Sequence, residues 1–180
     1  MNAHWNKVTP PELQKAIRNI PDFPLAGIQF KDITPVLADA RLFAGSIDLL
    51  IDRFEPGSID AVVGVDARGF IFAAAAALRL KAGFVPVRKK GKLPYSTFEQ
   101  SYDLEYGSST IAIHTDAVGA GSRVLIIDDL LATGGTAAAA AKLVAQAGAR
   151  ILEITFLIEL SFLKGREKLK EYPVRSLVVY

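Results

Sequence analysis

The stretch "VLIIDDLLATGGTAAAA", residues 124–140, joins an apolar run, two adjacent carboxylates and a glycine-containing turn. Residues 124–127 are aliphatic without alternation, which predicts a central parallel strand buried on both faces. Residues 137–143 have high helix propensity, and Gly148 provides a helix stop. The stretch therefore predicts a strand, a turn and a helix in immediate succession, which is the repeating unit of α/β folds.

The turn after this strand has the composition of an anion-binding loop. Gly134 and Gly135 remove side-chain bulk, so main-chain N–H groups can approach a ligand, and Thr133 and Thr136 add hydroxyl groups. The following helix directs its unpaired N–H groups and positive dipole end at the same place. The turn has neither the Gly-Lys-Ser/Thr of a Walker A loop nor the G-x-G-x-x-G spacing of a dinucleotide fingerprint. We therefore predict a phosphate cradle of another kind.

Asp128 and Asp129 precede this turn and would repel a bare phosphate. A glycine turn capped by one aspartate is the simpler interpretation, and it would explain either carboxylate alone. Two carboxylates beside an anion site favour a ligand that also carries hydroxyl groups or a metal ion. A ribose ring with a 5-phosphate fits, because its diol can face the aspartates while its phosphate occupies the loop.

The rest of the chain continues the alternation of strands and helices. Further buried strands are predicted at residues 61–65, 83–87, 151–158 and 174–179, with a long hairpin at 94–117. Short helices are predicted after Pro11, with Leu13, Ala16, Ile17 and Ile20 on one face, and at residues 163–169. We expect an α/β fold, a doubly wound and mostly parallel sheet flanked by helices, in a single domain. Ligands of such sheets bind at the carboxyl ends of the strands, where Asp66, Arg88 and Asp128 fall.

The composition argues against several classes of function. Of the 180 residues, 51% are hydrophobic and 22% are charged, as in ordinary globular proteins. A net charge of +2 gives little support for a nucleic-acid partner. The chain has no cysteine for a disulfide or a thiolate metal site, and no apolar run of transmembrane length. Its first twenty residues contain no apolar signal core, so we expect a cytoplasmic protein without a membrane partner.

Several segments together resemble one enzyme family. "VLIIDDLLATGGT" is similar to the phosphoribosyl pyrophosphate motif of type I phosphoribosyltransferases, and alone it would indicate only that superfamily. "FPLAGIQFKDIT" and "SYDLEYG" resemble its adenine-specific branch, and "DARGFIFA", "VRKKGKLP" and "LIELSFLKGREKL" stand in the family's order. The resemblance implies a purine salvage reaction in which adenine and phosphoribosyl pyrophosphate give AMP and pyrophosphate with Mg²⁺. It also implies a homodimer.

The resemblance assigns roles to individual residues. Asp128 and Asp129 would be catalytic, holding the ribose hydroxyls and favouring positive charge on the sugar. The 5-phosphate would be bound by Ala132, Thr133, Gly134, Gly135 and Thr136. The pyrophosphate would be bound by Asp66, Ala67, Arg68, Arg88, Lys89 and Lys92. Some of these basic residues could act across a dimer interface, and the turn at residues 66–69 often contains a non-proline cis peptide in this superfamily.

The base and its proton are assigned to two other segments. Glu105 would handle the proton of the base, and Tyr106 would belong to a lid of about residues 92–110 that closes over the site. Without the resemblance, Glu105 would be interpreted as a solvated hairpin charge. Adenine would be bound in a small N-terminal hood, within about residues 1–35, by Gln29, Phe30 and Lys31.

This chain departs from the family pattern at two positions. Lys31 stands where many relatives have arginine, so the charge is kept but the planar fork is lost. Ala67 replaces a serine found in some members, which removes a hydroxyl contact to pyrophosphate.

Two other interpretations remain open. The chain could transfer phosphoribose to another base, such as hypoxanthine or xanthine, although the hood segment and "SYDLEYG" argue against this. It could also be a non-catalytic regulator that senses the sugar diphosphate. Such regulators usually add a DNA-binding domain, for which the residues before Phe23 leave no room, and Glu105 also favours an enzyme.

Overall fold

The computed structural model describes residues 7–103 and 108–180. Backbone contacts divide the chain into two compact units, Met1–Leu49 and Leu50–Tyr180. The sequence predicts a single domain with an N-terminal hood and a lid, and this functional division stays a prediction.

The first unit contains short helices and one two-stranded sheet. Its elements are α1 (Pro10–Ala16), β1 (Arg18–Pro21), β2 (Gln29–Asp32), α2 (Thr34–Ala38) and most of α3 (Ala40–Ile51). Helix α1 begins with a capping box, in which Glu12 Oε2 accepts a hydrogen bond of 2.9 Å from the Thr9 N–H. Strands β1 and β2 pair antiparallel.

The sequence pattern places Ile20 on the apolar face of the first helix, and this prediction is wrong. The helix ends at Ala16, and Ile17 already has an extended backbone with ψ of 122°. Ile20 lies in β1 opposite Phe30, because Arg18–Pro21 find hydrogen-bonding partners in Gln29–Asp32. Pairing with a distant segment overrides the helical spacing here.

The second unit is built on one seven-stranded sheet. Its elements in chain order are β3 (Ala61–Val65), α4 (Gly69–Leu80), β4 (Gly83–Lys89), β5 (Thr97–Asp103), β6 (Ser108–His114), β7 (Arg123–Leu131), α5 (Gly135–Gln146), β8 (Arg150–Glu159), two 3₁₀ turns (Ser161–Leu163 and Gly165–Leu169) and β9 (Val174–Val179). The spatial order of the strands is β5-β6-β4-β3-β7-β8-β9. Strands β4, β3, β7, β8 and β9 are parallel, and the β5–β6 hairpin adds antiparallel strands at one end.

The two long helices cover opposite faces of this sheet. Val63 and Val65 belong to the buried cluster that includes Leu143 and Val144 of α5. A Cβ built on the intervening Gly64 would lie 2.7 Å from the Cβ of Ala73 in α4. Because successive strand residues point to opposite faces, α4 and α5 flank the sheet, and the predicted doubly wound, mostly parallel fold is confirmed.

The order of connections creates a switch point between β3 and β7. The chain leaves β3 through α4 to reach β4 on one side, whereas β7 pairs with β3 on the other side. Crevices at such points, outside the carboxyl ends of the strands, are the usual ligand sites of open α/β sheets. In the described part of the chain, no helix is both long enough and apolar enough to span a bilayer.

Candidate active site

Strand β7 extends further than its apolar run predicts, so the aspartate pair lies inside its carboxyl end. Asp128 is level with Phe156 of β8, and Leu131 is level with Glu159. The carboxylate of Asp128 accepts a hydrogen bond of 2.9 Å from the N–H of Asp129. A Cβ on Gly69, the first residue of α4, would lie 2.5 Å from Asp128 Oδ1. Glycine at position 69 therefore makes room for this carboxylate beside the helix start.

Asp129 joins β7 to the turn that follows β3. Its Oδ2 lies 2.8 Å from Nη2 of Arg68, and its side chain is 7% exposed. The contact lacks hydrogen-bond geometry, and Oδ2 has no hydrogen-bond partner among the described residues. This oxygen is therefore neutralised by a charge but keeps its capacity to accept a hydrogen bond.

The two carboxyl groups have perturbed acidity. Burial raises the pKa of Asp128 well above its ordinary value, and the negative charge of Asp129 adds to the increase. Burial also raises the pKa of Asp129, while the Arg68 guanidinium opposes the shift. Perturbed carboxylates in a crevice are typical of functional sites. A ligand that brings hydroxyl groups or positive charge would favour the ionised forms.

The turn at residues 66–69 carries side-chain charges. The peptide bond between Asp66 and Ala67 is cis, as the family resemblance implies. Asp66 Oδ2 accepts a hydrogen bond of 3.0 Å from Arg88 Nε, and Arg88 also donates to the Lys92 carbonyl oxygen over 3.1 Å. The turn after β3 is thus tied to the basic segment after β4 and, through Arg68, to Asp129 of β7.

Lys89 is the last residue of β4 and Lys92 follows shortly after it, so both lie at the same edge of the sheet as this turn. Both side chains are exposed, and neither forms an ion pair with a described residue. The neighbouring Lys90 instead pairs with Glu99 of β5 over 2.7 Å. The predicted pyrophosphate residues are therefore gathered at one edge of the sheet, and two of their cations are available to a ligand.

The predicted phosphate loop lies between β7 and α5. Gly134 has φ of +77°, a conformation that glycine adopts readily, and it precedes the first residue of α5. A cavity of about 80 Å³ is lined by the loop and its neighbours, namely Asp128, Leu130, Leu131, Ala132, Thr133, Gly134, Gly135, Thr136 and Ala137. The loop therefore borders a small concave space at the N-terminus of a twelve-residue helix, and its role as a phosphate cradle stays a prediction.

The sequence gives no sign of two contacts made by this loop. The Thr136 hydroxyl donates a hydrogen bond of 3.1 Å to the Tyr102 hydroxyl, which belongs to the predicted hairpin. A Cβ on Gly134 would collide with the backbone of Gly165, and one on Gly165 would collide with the Ala132 carbonyl oxygen. Tyr102 stands within "SYDLEYG" and Gly165 within "LIELSFLKGREKL", so the only available signal was their membership of these segments.

The remaining predicted residues belong to two other segments of the chain. Glu105 and Tyr106 lie outside the described residues, between the two strands of the β5–β6 hairpin. Gln29, Phe30 and Lys31 lie in β2 of the first unit. There the Asn19 side chain links two of them. It donates a hydrogen bond of 2.6 Å to Gln29 Oε1 and accepts one of 3.1 Å from Lys31 Nζ. Phe30 packs edge-to-face against Phe23, with ring centroids 5.1 Å apart.

Comparison with known proteins places this site in a family. The family model described as "Phosphoribosyl transferase domain" matches residues 31–178. An adenine phosphoribosyltransferase of Roseiflexus sp. (strain RS-1) is 55% identical over 168 residues, which cover 93% of this chain and 98% of that protein.

Solved structures agree with the sequence comparison. Adenine phosphoribosyltransferase from Thermoanaerobacter pseudethanolicus is 53% identical with a TM-score of 0.91, over 96% of this chain and 100% of that one. The Saccharomyces cerevisiae enzyme, solved with an imino-altritol bisphosphate and adenine, is 47% identical with a TM-score of 0.88. This match covers 93% of this chain and 97% of that one. The chain belongs to the phosphoribosyltransferase family, in its adenine phosphoribosyltransferase branch.

Proposed function

We propose that this chain converts adenine and 5-phospho-α-D-ribose 1-diphosphate into AMP and pyrophosphate, a purine salvage reaction. The observation that carries the proposal is the contact between Asp129 and Arg68, 2.8 Å apart beside the phosphate cradle. It brings carboxylate, guanidinium and unpaired helix N–H groups to one edge of the sheet. A ribose that carries a 5-phosphate and a 1-diphosphate has a complement for each of these groups.

The reaction breaks the bond between the anomeric carbon and the pyrophosphate oxygen. Positive charge builds on the sugar ring, and negative charge builds on the leaving group. Asp128 and Asp129 hold the ribose hydroxyls and stabilise the ring charge, since fixed charges matter most where charge develops in the transition state. The N–H groups and hydroxyls of residues 132–136 anchor the 5-phosphate and so fix the position of the anomeric carbon.

The pyrophosphate leaving group binds to positively charged residues at the same carboxyl-terminal edge of the sheet. Arg68, Arg88, Lys89 and Lys92 are the residues assigned to the pyrophosphate, and Asp66 holds Arg88 in place over 3.0 Å. Exposed Lys89 and Lys92 can reorient toward the diphosphate, because lysine carries its point charge on a flexible stem.

The donor set fits a magnesium ion that is held mainly by the substrate. Mg²⁺ prefers carboxylate, phosphate and water oxygens, and Asp129 Oδ2 is a buried carboxylate oxygen without a hydrogen bond from the described residues. Within residues 7–103 and 108–180, no three His, Cys, Asp or Glu residues form a metal-binding group. Asp128 and Asp129 would therefore face the ion without enclosing it, and when bound it neutralises charge on the diphosphate.

Four further assignments complete the proposal. Glu105 accepts the proton that the base nitrogen loses as this nitrogen bonds to the anomeric carbon. Tyr106 and the segment of about residues 92–110 close over the site and exclude water, which would otherwise hydrolyse the sugar diphosphate. Main-chain groups of residues 26–31, with Phe30, contact adenine, and the protein acts in the cytoplasm.

We also propose that the enzyme is a homodimer. Helix α4 exposes Ile71 and Leu78 on one face, 39% and 83% exposed, and Phe84 of β4 is 37% exposed. Large exposed apolar residues that follow helical spacing favour a protein interface. Because α4 begins at Gly69, a partner on this face would lie close to the turn that holds Arg68. Light scattering of the wild type and of Leu78→Glu tests this, and a monomeric wild type would refute it.

The activity is tested by measuring AMP and pyrophosphate from the sugar diphosphate, Mg²⁺ and a panel of bases. Adenine presents an amino donor and an unprotonated ring nitrogen, whereas hypoxanthine presents a carbonyl acceptor and a protonated nitrogen. A site that reads this edge through fixed main-chain groups leaves buried polar groups unpaired with the wrong base, and can discriminate by about 10⁴. Comparable kcat/KM for adenine and hypoxanthine would refute the proposed specificity.

A pair of variants at one position tests the main-chain reading. Gln29→Ala removes only the side chain and should change base specificity little. Gln29→Pro also deletes the main-chain N–H and should damage adenine use severely. Equally severe losses of adenine use in both variants would show that the side chain, not the main chain, reads the base.

A further inference from the structure

The segment after β8 lies directly behind the phosphate loop. Glu159, the last residue of β8, is level with Leu131, the last residue of β7, and the Leu160 N–H donates to the Leu131 carbonyl oxygen over 2.9 Å. The chain then turns through Lys164, whose φ is +54°, and reaches Gly165. Positions next to the loop are therefore occupied by backbone from a segment far away in the sequence.

Gly165 contacts the loop through the main chain. A Cβ on this residue would collide with the Ala132 carbonyl oxygen and would lie 3.1 Å from the Gly134 nitrogen. Gly165 is itself buried. Backbone packs on backbone here, so any displacement of Gly165 changes the space that the loop occupies. The 5-phosphate is assigned to main-chain N–H groups of this same loop, whose directions depend on its exact path.

Arg166 fixes Gly165 through a forked ion pair. Its Nε lies 2.8 and 2.9 Å from the two carboxylate oxygens of Glu159, and its Nη2 lies 2.7 Å from Oε2. Its Nη1 donates to the Val174 carbonyl oxygen over 2.8 Å. The Glu159 side chain is 7% exposed, and hydrogen bonds from Arg166 lower its pKa. The pair thus clamps the turn between the carboxyl end of β8 and the start of β9.

We propose that Glu159 and Arg166 are positioning residues for the 5-phosphate, because their ion pair holds Gly165 against the back of the phosphate loop. The inference rests on the proposed function, since it names residues that act on the same phosphate site. Neither residue lines the cavity beside the loop, so the proposed role acts through Gly165. A misplacement of about 1 Å in such a framework can cost about 100-fold in rate.

The same strand supplies a matched control. Glu153, in the first half of β8, is 6% exposed and accepts a hydrogen bond of 2.9 Å from Arg175 Nε. It resembles Glu159 in burial and in pairing with arginine, although Arg53 Nη1 also donates to it, over 3.2 Å. It is level with Leu125, well before the phosphate loop. Glu153→Gln and Glu159→Gln therefore remove the same charge from similar surroundings, and only the second change lies beside the loop.

The experiment compares these variants in the full chain. In Glu159→Gln, the calorimetric Kd for ribose 5-phosphate and the KM for the sugar diphosphate should each rise about 10-fold, while the KM for adenine stays unchanged. Glu153→Gln should lower Tm without changing the affinity for ribose 5-phosphate or the KM for the sugar diphosphate. If Glu159→Gln does not fold, Arg166→Lys keeps the charge, loses the fork and should give the same selective weakening.

The outcomes separate this inference from the proposed function. Wild-type affinity in Glu159→Gln or Arg166→Lys, or equal weakening in Glu153→Gln, would overturn the positioning role. A wild-type chain that fails to bind ribose 5-phosphate and to form AMP would refute the proposed function instead.

Discussion

Two strand-to-helix turns meet at the switch point, and they present different chemistry. The turn at residues 66–69 carries charged side chains, which pair with Asp129 and Arg88. The turn at residues 132–136 carries no charge and offers main-chain N–H groups and hydroxyls instead. Both follow a buried strand and both begin a twelve-residue helix rich in alanine. We therefore predict that the same local fold serves two kinds of anion recognition, one through side chains and one through the backbone.

The difference predicts how each turn responds to mutation. Side-chain recognition should depend on charge, so a substitution that keeps the charge should be tolerated better than one that removes it. Backbone recognition should depend on the path of the chain, so the smallest added side chain can be harmful. The carboxylates of Asp128 and Asp129 stand between the turns, and their loss should affect both.

The largest effect is expected at this aspartate pair. Asp128→Asn or Asp129→Asn removes a fixed negative charge from the side of the sugar, so kcat/KM for the sugar diphosphate should fall on the order of 100- to 1000-fold. Steady-state kinetics with Tm as a folding control measures this. A double variant with near-normal activity would show that the pair only caps the turn.

A smaller but still large effect is expected from Gly134→Ala. The new Cβ would meet the Gly165 backbone, and φ of +77° disfavours alanine, so the loop must shift. A displaced cradle should reduce kcat/KM by about 100-fold. The contrasting change in the other turn is Ala67→Ser, which restores a hydroxyl found in some relatives and should leave activity close to wild type. Similar losses in both variants would remove the distinction between the turns.

The sequence predicted the parts of this arrangement that depend on neighbouring residues. The apolar run of β7, the glycines of the loop and the strand β3 (Ala61–Val65) were all visible, because burial and turn chemistry act locally. The start of α5 was predicted two residues late, since the alanines signal the helix more strongly than Gly135. A helix predicted at residues 163–169 is a pair of 3₁₀ turns, interrupted by Lys164 at positive φ.

The contacts that join distant segments were not predictable from one sequence. Nothing near Arg68 indicates that its partner is Asp129, and nothing near Gly165 indicates that it packs against Gly134. These pairings arise only when β3, β7 and β8 align in the sheet. Tyr102 is a similar case, because its bond to Thr136 requires the β5–β6 hairpin to lie close to the start of α5.

An intermediate effect is expected from Arg68, which joins the two turns. Its positive charge holds down the pKa of Asp129 against the effect of burial. In Arg68→Gln that pKa should rise further, so a higher pH is needed to ionise the carboxylate, and the acidic limb of the kcat/KM profile should move to higher pH. Arg68→Lys, which keeps the charge, should move it less. A pH profile that is unchanged in Arg68→Gln would show that Asp129 does not control this limb.

The smallest effect is expected at the amino ends of β3 and β7, where a second ion pair joins the two strands. Arg123 at the start of β7 donates to Asp60, just before β3, over 2.7 and 3.0 Å, and its main-chain N–H donates over 2.7 Å. These bonds lower the pKa of Asp60 from 3.8 to about 2. A carboxylate whose pKa is lower in the folded state stabilises the fold above pH 3.8, and that contribution is lost as pH falls through about 2. The pair is exposed, so its contribution should be small.

In Asp60→Asn, the dependence of unfolding free energy on pH should therefore be shallower in this window, while kcat/KM at neutral pH stays at the wild-type value. Asp116→Asn removes an exposed carboxylate that has no ion pair with a described residue, and it serves as the control. A loss of activity in Asp60→Asn would mean that the amino ends of β3 and β7 also position the turns. An equal flattening of the pH profile in Asp116→Asn would mean that the acid sensitivity does not come from this pair.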